Sequence, residues 1–148
     1  MTYIRPTRRQ LVAGAAAAGL IPLSGRPAMA NENIRLRALY EKDQSFTPMA
    51  QELEGESVKV EGFMAPPLEA NSDFFVLTKK PMAVCPFCET EAEWPDDILG
   101  VYTRRIYTAV PFNRGIVVTG ELSLGTYTDP DTGFLSRVRL ENARFDYA

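Results

Sequence analysis

The chain has 148 residues, 45% of them apolar and 24% charged, which is enough for one hydrophobic core in one domain. Its 16 Lys and Arg stand against 19 Asp and Glu; setting aside the four Arg of the first thirty residues leaves 12 against 19, near −7, which argues against nucleic acid or an anionic membrane surface as partner. No histidine occurs, so imidazole-based triads are excluded and any metal must be held by Cys, carboxylates, carbonyls or weaker ligands.

Residues 1–30 read as an export signal. Thr7-Arg8-Arg9-Gln10-Leu11 is a twin-arginine motif, with Leu11 where Phe is commonest. The apolar run 11–23 that follows is shorter than the roughly 20 residues of a membrane span. It leads to Ala28-Met29-Ala30, a small-x-small pattern that places cleavage between Ala30 and Asn31. No Cys follows that site directly, so a lipid anchor is not expected. The expected product is a soluble periplasmic protein without a membrane span, recognised by the export machinery through Arg8 and Arg9.

Residues 31–54 read as a short helical segment. Asn33 is placed to cap a helix reaching Tyr40, although Ile34, Leu36, Leu39 and Tyr40 follow helical spacing only loosely. A second helical turn is better marked, with Thr47 as N-cap, Pro48 at the first helical position and Gly55 after the end.

From 55 onward the pattern changes to period two. Val58, Val60 and Gly62 share one face of a strand, and Lys59, Glu61 and Phe63 the other, until Pro66-Pro67 stops it. Asn71-Ser72-Asp73 is a turn before an apolar strand over 73–78, and Lys79-Lys80-Pro81 breaks again. Residues 98–107 give a third extended run, 115–124 a fourth, and the positions of Leu135, Val138, Leu140 and Phe145 a last one, with Arg137 and Arg139 facing outward. Gly120 interrupts the fourth strand, as a bulge or tight bend does. Asp129-Pro-Asp-Thr-Gly133 has turn chemistry; its likeness to a calcium loop is incomplete, since further oxygen positions and a terminal Glu are missing. The expected fold is all-β, a small five-stranded OB-like Greek-key barrel over 55–148 with short N-terminal helices, with an open β-sandwich as the alternative.

Gly55, the string Val58-Lys-Val-Glu-Gly-Phe-Met-Ala-Pro66, the apolar strand and Cys-containing segment after it, and a late Val-x-Gly-x-Leu strand resemble the bacterial exported proteins of domain-of-unknown-function family 3299. The resemblance covers about 46–146. It implies a periplasmic or lipoprotein single domain of OB-like fold with no settled activity and, for some members, metal handling. The family's Cys position after the second strand falls on Cys85 and Cys88.

These are the only two cysteines, and the two-residue spacing lets both sulfurs face one point. Three readings of the pair stand side by side. It is a disulfide that staples the loop of a structural interaction module; or a thiol-disulfide redox site, against which Glu89, Glu91 and Glu93 disfavour a thiolate; or a metal site. The metal reading joins the thiolates to Glu89, Glu91 or Asp96 for Zn, or to Met64 or Met82 for Cu(I). Weaker candidates are a stacking face of Phe63, Phe74, Phe75, Tyr102 and Tyr107, and an anion site of Arg104-Arg105 beside Lys79-Lys80. No nucleophile elbow or glycine-rich phosphate loop is present. The expectation is an exported binding or accessory protein rather than an enzyme, with an unknown periplasmic partner and its chemistry at the Cys pair.

Overall fold

The computed structural model describes residues 33–67, 71–83 and 98–148. They form one six-stranded sheet: β1 (Asn33–Arg35), β2 (Ser57–Met64), β3 (Phe74–Thr78), β4 (Ile98–Thr103), β5 (Gly115–Thr128) and β6 (Leu135–Tyr147). The order is β1-β2-β3-β4-β6-β5, with a further pairing between β2 and β5. All neighbours are antiparallel except β1 with β2 and β4 with β6.

The strands arise where the alternation places them. Along β2 the side chains of Val58 and Val60, the Gly62 position and Met64 are buried while Ser57 and Glu61 are exposed, and β5 repeats this with Ile116, Val118, Gly120 and Leu122. The two strands pair across that pattern, Val58 opposite Gly120 and Gly62 opposite Ile116. Two glycines answer to close approach. A Cβ on Gly62 would lie 2.7 Å from the Thr78 carbonyl oxygen and 2.9 Å from Leu77 Cγ, and one on Gly120 would lie 3.0 Å from the Ala143 and Leu140 Cβ atoms. At Gly120 the β5–β6 register shifts, which is the irregularity that a glycine inside a strand signals.

Two expectations need correction. The sheet has six strands rather than five, because residues 33–35 are strand rather than helix. Ile34 is buried between exposed neighbours and pairs with Val60. A ladder to β2 satisfies backbone groups that three weakly helical residues cannot satisfy alone, so tertiary pairing overrides local spacing. The helix expected up to Tyr40 is reduced to a 3-10 turn over Leu36–Leu39. The second segment is a five-residue helix, α1 (Pro48–Glu52): Thr47 Oγ1 accepts from Ala50 N–H at 3.2 Å and donates to the Ala38 carbonyl at 3.0 Å, and Gly55 takes φ +79° after its end.

One core joins these parts. Leu36, Leu39, Tyr40, Ala50 and Leu53 from residues before β2 are buried with Val60, Phe75, Leu77, Leu99, Val118 and Leu140 from the strands. β3 is buried at every position, and β4 from Ile98 to Val101, so these two strands are covered on both faces.

Candidate functional site

The β3–β4 ladder is the frame from which the sequence's main candidate springs. It begins at the Thr78–Ile98 pair and ends at Phe74–Tyr102. The connection leaving Thr78 and returning at Ile98 carries Cys85, Cys88, Glu89, Glu91 and Asp96, all of which lie outside the described residues. So do Arg8, Arg9, Ala30 and Asn31 of the export motif and cleavage site. The near end of the connection is fixed: the Thr78 hydroxyl is fully buried and lies 2.7 Å from the Lys80 carbonyl and 3.2 Å from the Phe63 carbonyl. Of the two methionines considered as soft ligands, Met64 is packed in the core, and Met82 is half-buried on the connection.

Strand alternation divides the five candidate aromatics. Phe75 points into the core, where Tyr107 and Phe145 meet it edge-on at 5.1 and 5.6 Å between ring centroids. Phe74 lies on the other face against Tyr102 at 4.9 Å and Phe134 at 5.1 Å, and Tyr127 stands edge-on to Tyr102 at 6.1 Å. Phe63 is half-buried on β2. Sequence reading missed Tyr127 and Phe134, which flank the Asp129 turn, and that position was the available signal; it places Phe145 in the last strand but not among the aromatic candidates.

The second aromatic group borders a polar cluster. Asp129 Oδ1 accepts the N–H groups of Asp131 at 3.0 Å and Thr132 at 2.8 Å and the Thr132 hydroxyl at 3.0 Å. Burial works to raise its pKa, and the hydrogen bonds around the carboxylate, those of Thr132 first, together outweigh burial and hold it below its ordinary value. Those bonds make the segment a hairpin turn, closed by Gly133 at φ +70°. The Tyr102 hydroxyl is buried beside Asp129 and makes no hydrogen bond of good geometry among the described residues; burial, followed by the charge and proximity of Asp129, pushes its pKa up. Arg139 lies 4.8 Å over the Tyr127 ring, bonds Glu141 Oε1 at 2.9 Å and donates to the Gly125 carbonyl at 3.1 Å.

The proposed partnership of Arg104-Arg105 with Lys79-Lys80 is not formed. β3 and β4 run antiparallel, so the lysines follow the Thr78–Ile98 end and the arginines the Phe74–Tyr102 end, on the order of 14 Å apart. Arg104 instead reaches β6, donating from Nε to the Asn142 carbonyl at 3.0 Å. Among the described residues no group of three or more Cys, Asp or Glu gathers in a way that would hold a metal ion, and no helix is long and apolar enough to cross a membrane.

No family model matches the chain, and no curated protein matches it. Among solved structures, a DUF3299 family protein from Pseudomonas aeruginosa PAO1 is similar with a TM-score of 0.51 and 12% sequence identity, over 79% of this chain and 95% of that one. The resemblance to family 3299 drawn from residues 46–146 is borne out in the fold.

Proposed function

With the fold of the 3299 family as its premise, we propose that this chain is an exported periplasmic binding or accessory protein whose working element is the β3–β4 connection carrying Cys85 and Cys88. We read β2 to β6 as a small OB-like Greek-key barrel; the support is the pairing order, in which β2 meets β3 on one edge and β5 on the other while β4 and β6 run parallel. The observation that carries the functional reading is the contrast between frame and connection. The strands on either side pair with each other along the whole of β3 and are buried from Phe74 to Thr78 and from Ile98 to Val101, whereas the 19 residues between Thr78 and Ile98 exceed what a structural turn requires. Connections longer than about 12–15 residues that carry no secondary structure of their own are uncommon in a compact domain and are usually either functional or linker segments. This one holds every cysteine of the chain, and Glu89, Glu91 and Asp96 as further ligands.

The chemistry such a pair supports is capture of a thiophilic ion, Zn with carboxylate help or Cu(I) with the half-buried Met82. Native mass spectrometry of protein recovered from its own host, without chelator or reductant, tests it. Expected is one bound ion per chain, lost in a Cys85→Ser, Cys88→Ser double variant. A metal-free mass about 2 Da below the reduced value would instead mean a disulfide and sink the metal reading.

A further inference from the structure

Where β2, β5 and β6 lie side by side, a cleft of about 340 Å³ opens beside the exit of β4. Four charged side chains line it, Arg104, Arg144, Glu56 and Glu121, two of each sign. None of the four forms an ion pair among the described residues, with one another or with a neighbour. The strand order sorts them. Arg104 follows β4 and Arg144 lies on β6, whereas Glu121 lies on β5 and Glu56 immediately precedes β2. With the strands running β4-β6-β5 and β2 beyond β5, both cations enter from one side of the cleft and both carboxylates from the other.

The backbone around the cleft is shaped by a bulge. Thr119 pairs with Arg144 and Glu121 with Glu141, so Gly120 alone stands opposite Asn142 and Ala143. Asn142 takes φ +51° there, a left-handed conformation that costs free energy and clusters at functional sites. Arg104 holds both carbonyls of the bulge, its backbone N–H donating to Ala143 at 3.3 Å and its Nε to Asn142 at 3.0 Å. Its guanidinium is thereby fixed, and its two Nη groups have no acceptor among the described residues. On the acidic side, Gly55 N–H donates to the Leu122 carbonyl at 2.8 Å and Leu122 N–H to the Glu56 carbonyl at 3.0 Å, which clips Glu56 to β5.

We propose that this cleft binds a small zwitterion of the amino-acid or dipeptide class, its carboxylate taken by Arg104 and Arg144 and its ammonium by Glu56 and Glu121. A guanidinium fork suits a carboxylate, and the volume lies at the lower end of the roughly 300–1,000 Å³ of small-molecule sites. A lone anion would meet two carboxylates on an acidic chain, and a lone cation would meet two guanidiniums. A neutral ligand carrying both charges is opposed by neither, and its dipole matches the sorting across the strands. Solvated side chains on neighbouring strands gain little by closing on each other, so a ligand that engages both signs displaces no strong pair. The inference stands apart from the β3–β4 connection and does not depend on the Cys pair.

The test is an amide-shift titration of the full chain by nuclear magnetic resonance with glycine and with glycylglycine, against acetate and methylammonium. One of the zwitterions should give saturable shifts at Thr119, Gly120, Glu121, Asn142 and Arg144, and bind at least about tenfold more tightly than either singly charged control. Arg144→Gln and Glu121→Gln should each weaken that binding by at least about tenfold. Both variants should keep the parent spectrum away from the cleft, since both side chains are exposed. Acetate binding as tightly as the zwitterions would reduce the cleft to an anion site and overturn the proposal. So would the absence of saturable shifts with either zwitterion, or folded variants that bind as tightly as the parent.

Discussion

Tyr102 and Tyr107 both lower their rings into the sheet, and they differ in what the hydroxyl meets. Tyr107 donates to the Phe74 carbonyl at 3.0 Å, whereas the Tyr102 hydroxyl is buried beside Asp129 with no hydrogen bond of good geometry among the described residues. Removing a satisfied hydroxyl loses a bond and leaves a buried carbonyl short of a donor; removing an orphaned one relieves a desolvation cost. Tyr107→Phe should therefore destabilise by about 1 kcal/mol, and Tyr102→Phe should be neutral or stabilising by a similar amount, as read from urea midpoints at constant slope. The pH dependence follows from burial, then Asp73, pushing Tyr107 from 10.0 up to about 12. A tyrosine whose folded pKa is raised contributes fully below pH 10 and loses its contribution as pH climbs toward 12. Tyr107→Phe should flatten that part of the stability curve; an unchanged alkaline slope would contradict the assignment. Gly62 makes a harsher demand. Its missing Cβ would meet a backbone carbonyl at 2.7 Å that cannot swing aside, so Gly62→Ala should cost about 2–3 kcal/mol, near the upper end for overpacking.

The β5–β6 hairpin shows how much of an element a sequence discloses. β5 pairs with β2 only from Gly115 to Glu121, and beyond that its support is β6 and the Asp129 turn. Asp129→Ala would release three donors from one oxygen, costing about 1–2 kcal/mol, with hydrogen exchange accelerating first in residues 124–136. Asp129→Asn keeps an acceptor at Oδ1 and should be milder. Because the carboxyl is held below 3.8, its stabilisation is present above that pH and fades as pH falls below it, and the Asn variant should lose this acid dependence. The turn and its flanking strands were readable, since Asp-Pro-Asp-Thr-Gly names its own conformation and alternation marks the buried face. The 33–35 strand was not, because its partner lies some 25 residues away and three residues carry no period. The split of Phe74 from Phe75 was implicit in alternation once 73–78 was read as a strand. What alternation could not say is that both faces of β3 are covered, because Tyr102 and Phe134 reach Phe74 from other elements and Tyr127 stands edge-on to Tyr102. The separation of Lys79-Lys80 from Arg104-Arg105 likewise needed the antiparallel register.

At the scale of the molecule the question is whether residues 33–53 are an appendage to the sheet or part of its cooperative unit. The sequence divides them at about 54 by a change of period. Burial joins them: Leu39 and Ala50 are 0% exposed and Leu53 1%, in the cluster that includes Val60 and Leu140. The backbone joins them too, through the β1–β2 ladder and through Gly55 N–H on the Leu122 carbonyl at 2.8 Å, answered by Leu122 N–H on the Glu56 carbonyl at 3.0 Å. A side chain buried among strands leaves a cavity when truncated, at about 2–5 kcal/mol for Leu to Ala. Leu39→Ala should thus lower the stability of the whole sheet by about 3 kcal/mol within one transition, with tyrosine fluorescence and far-ultraviolet dichroism moving together. If the segment were an appendage, the same variant would instead split the curve, an early partial change in dichroism followed by unfolding of the strands at the parent's midpoint. Coincident curves shifted to lower urea would mean that the frame holding the 19-residue connection is set by residues on both sides of Gly55, and that a fragment starting at 55 is not a fair substitute for the protein in binding experiments.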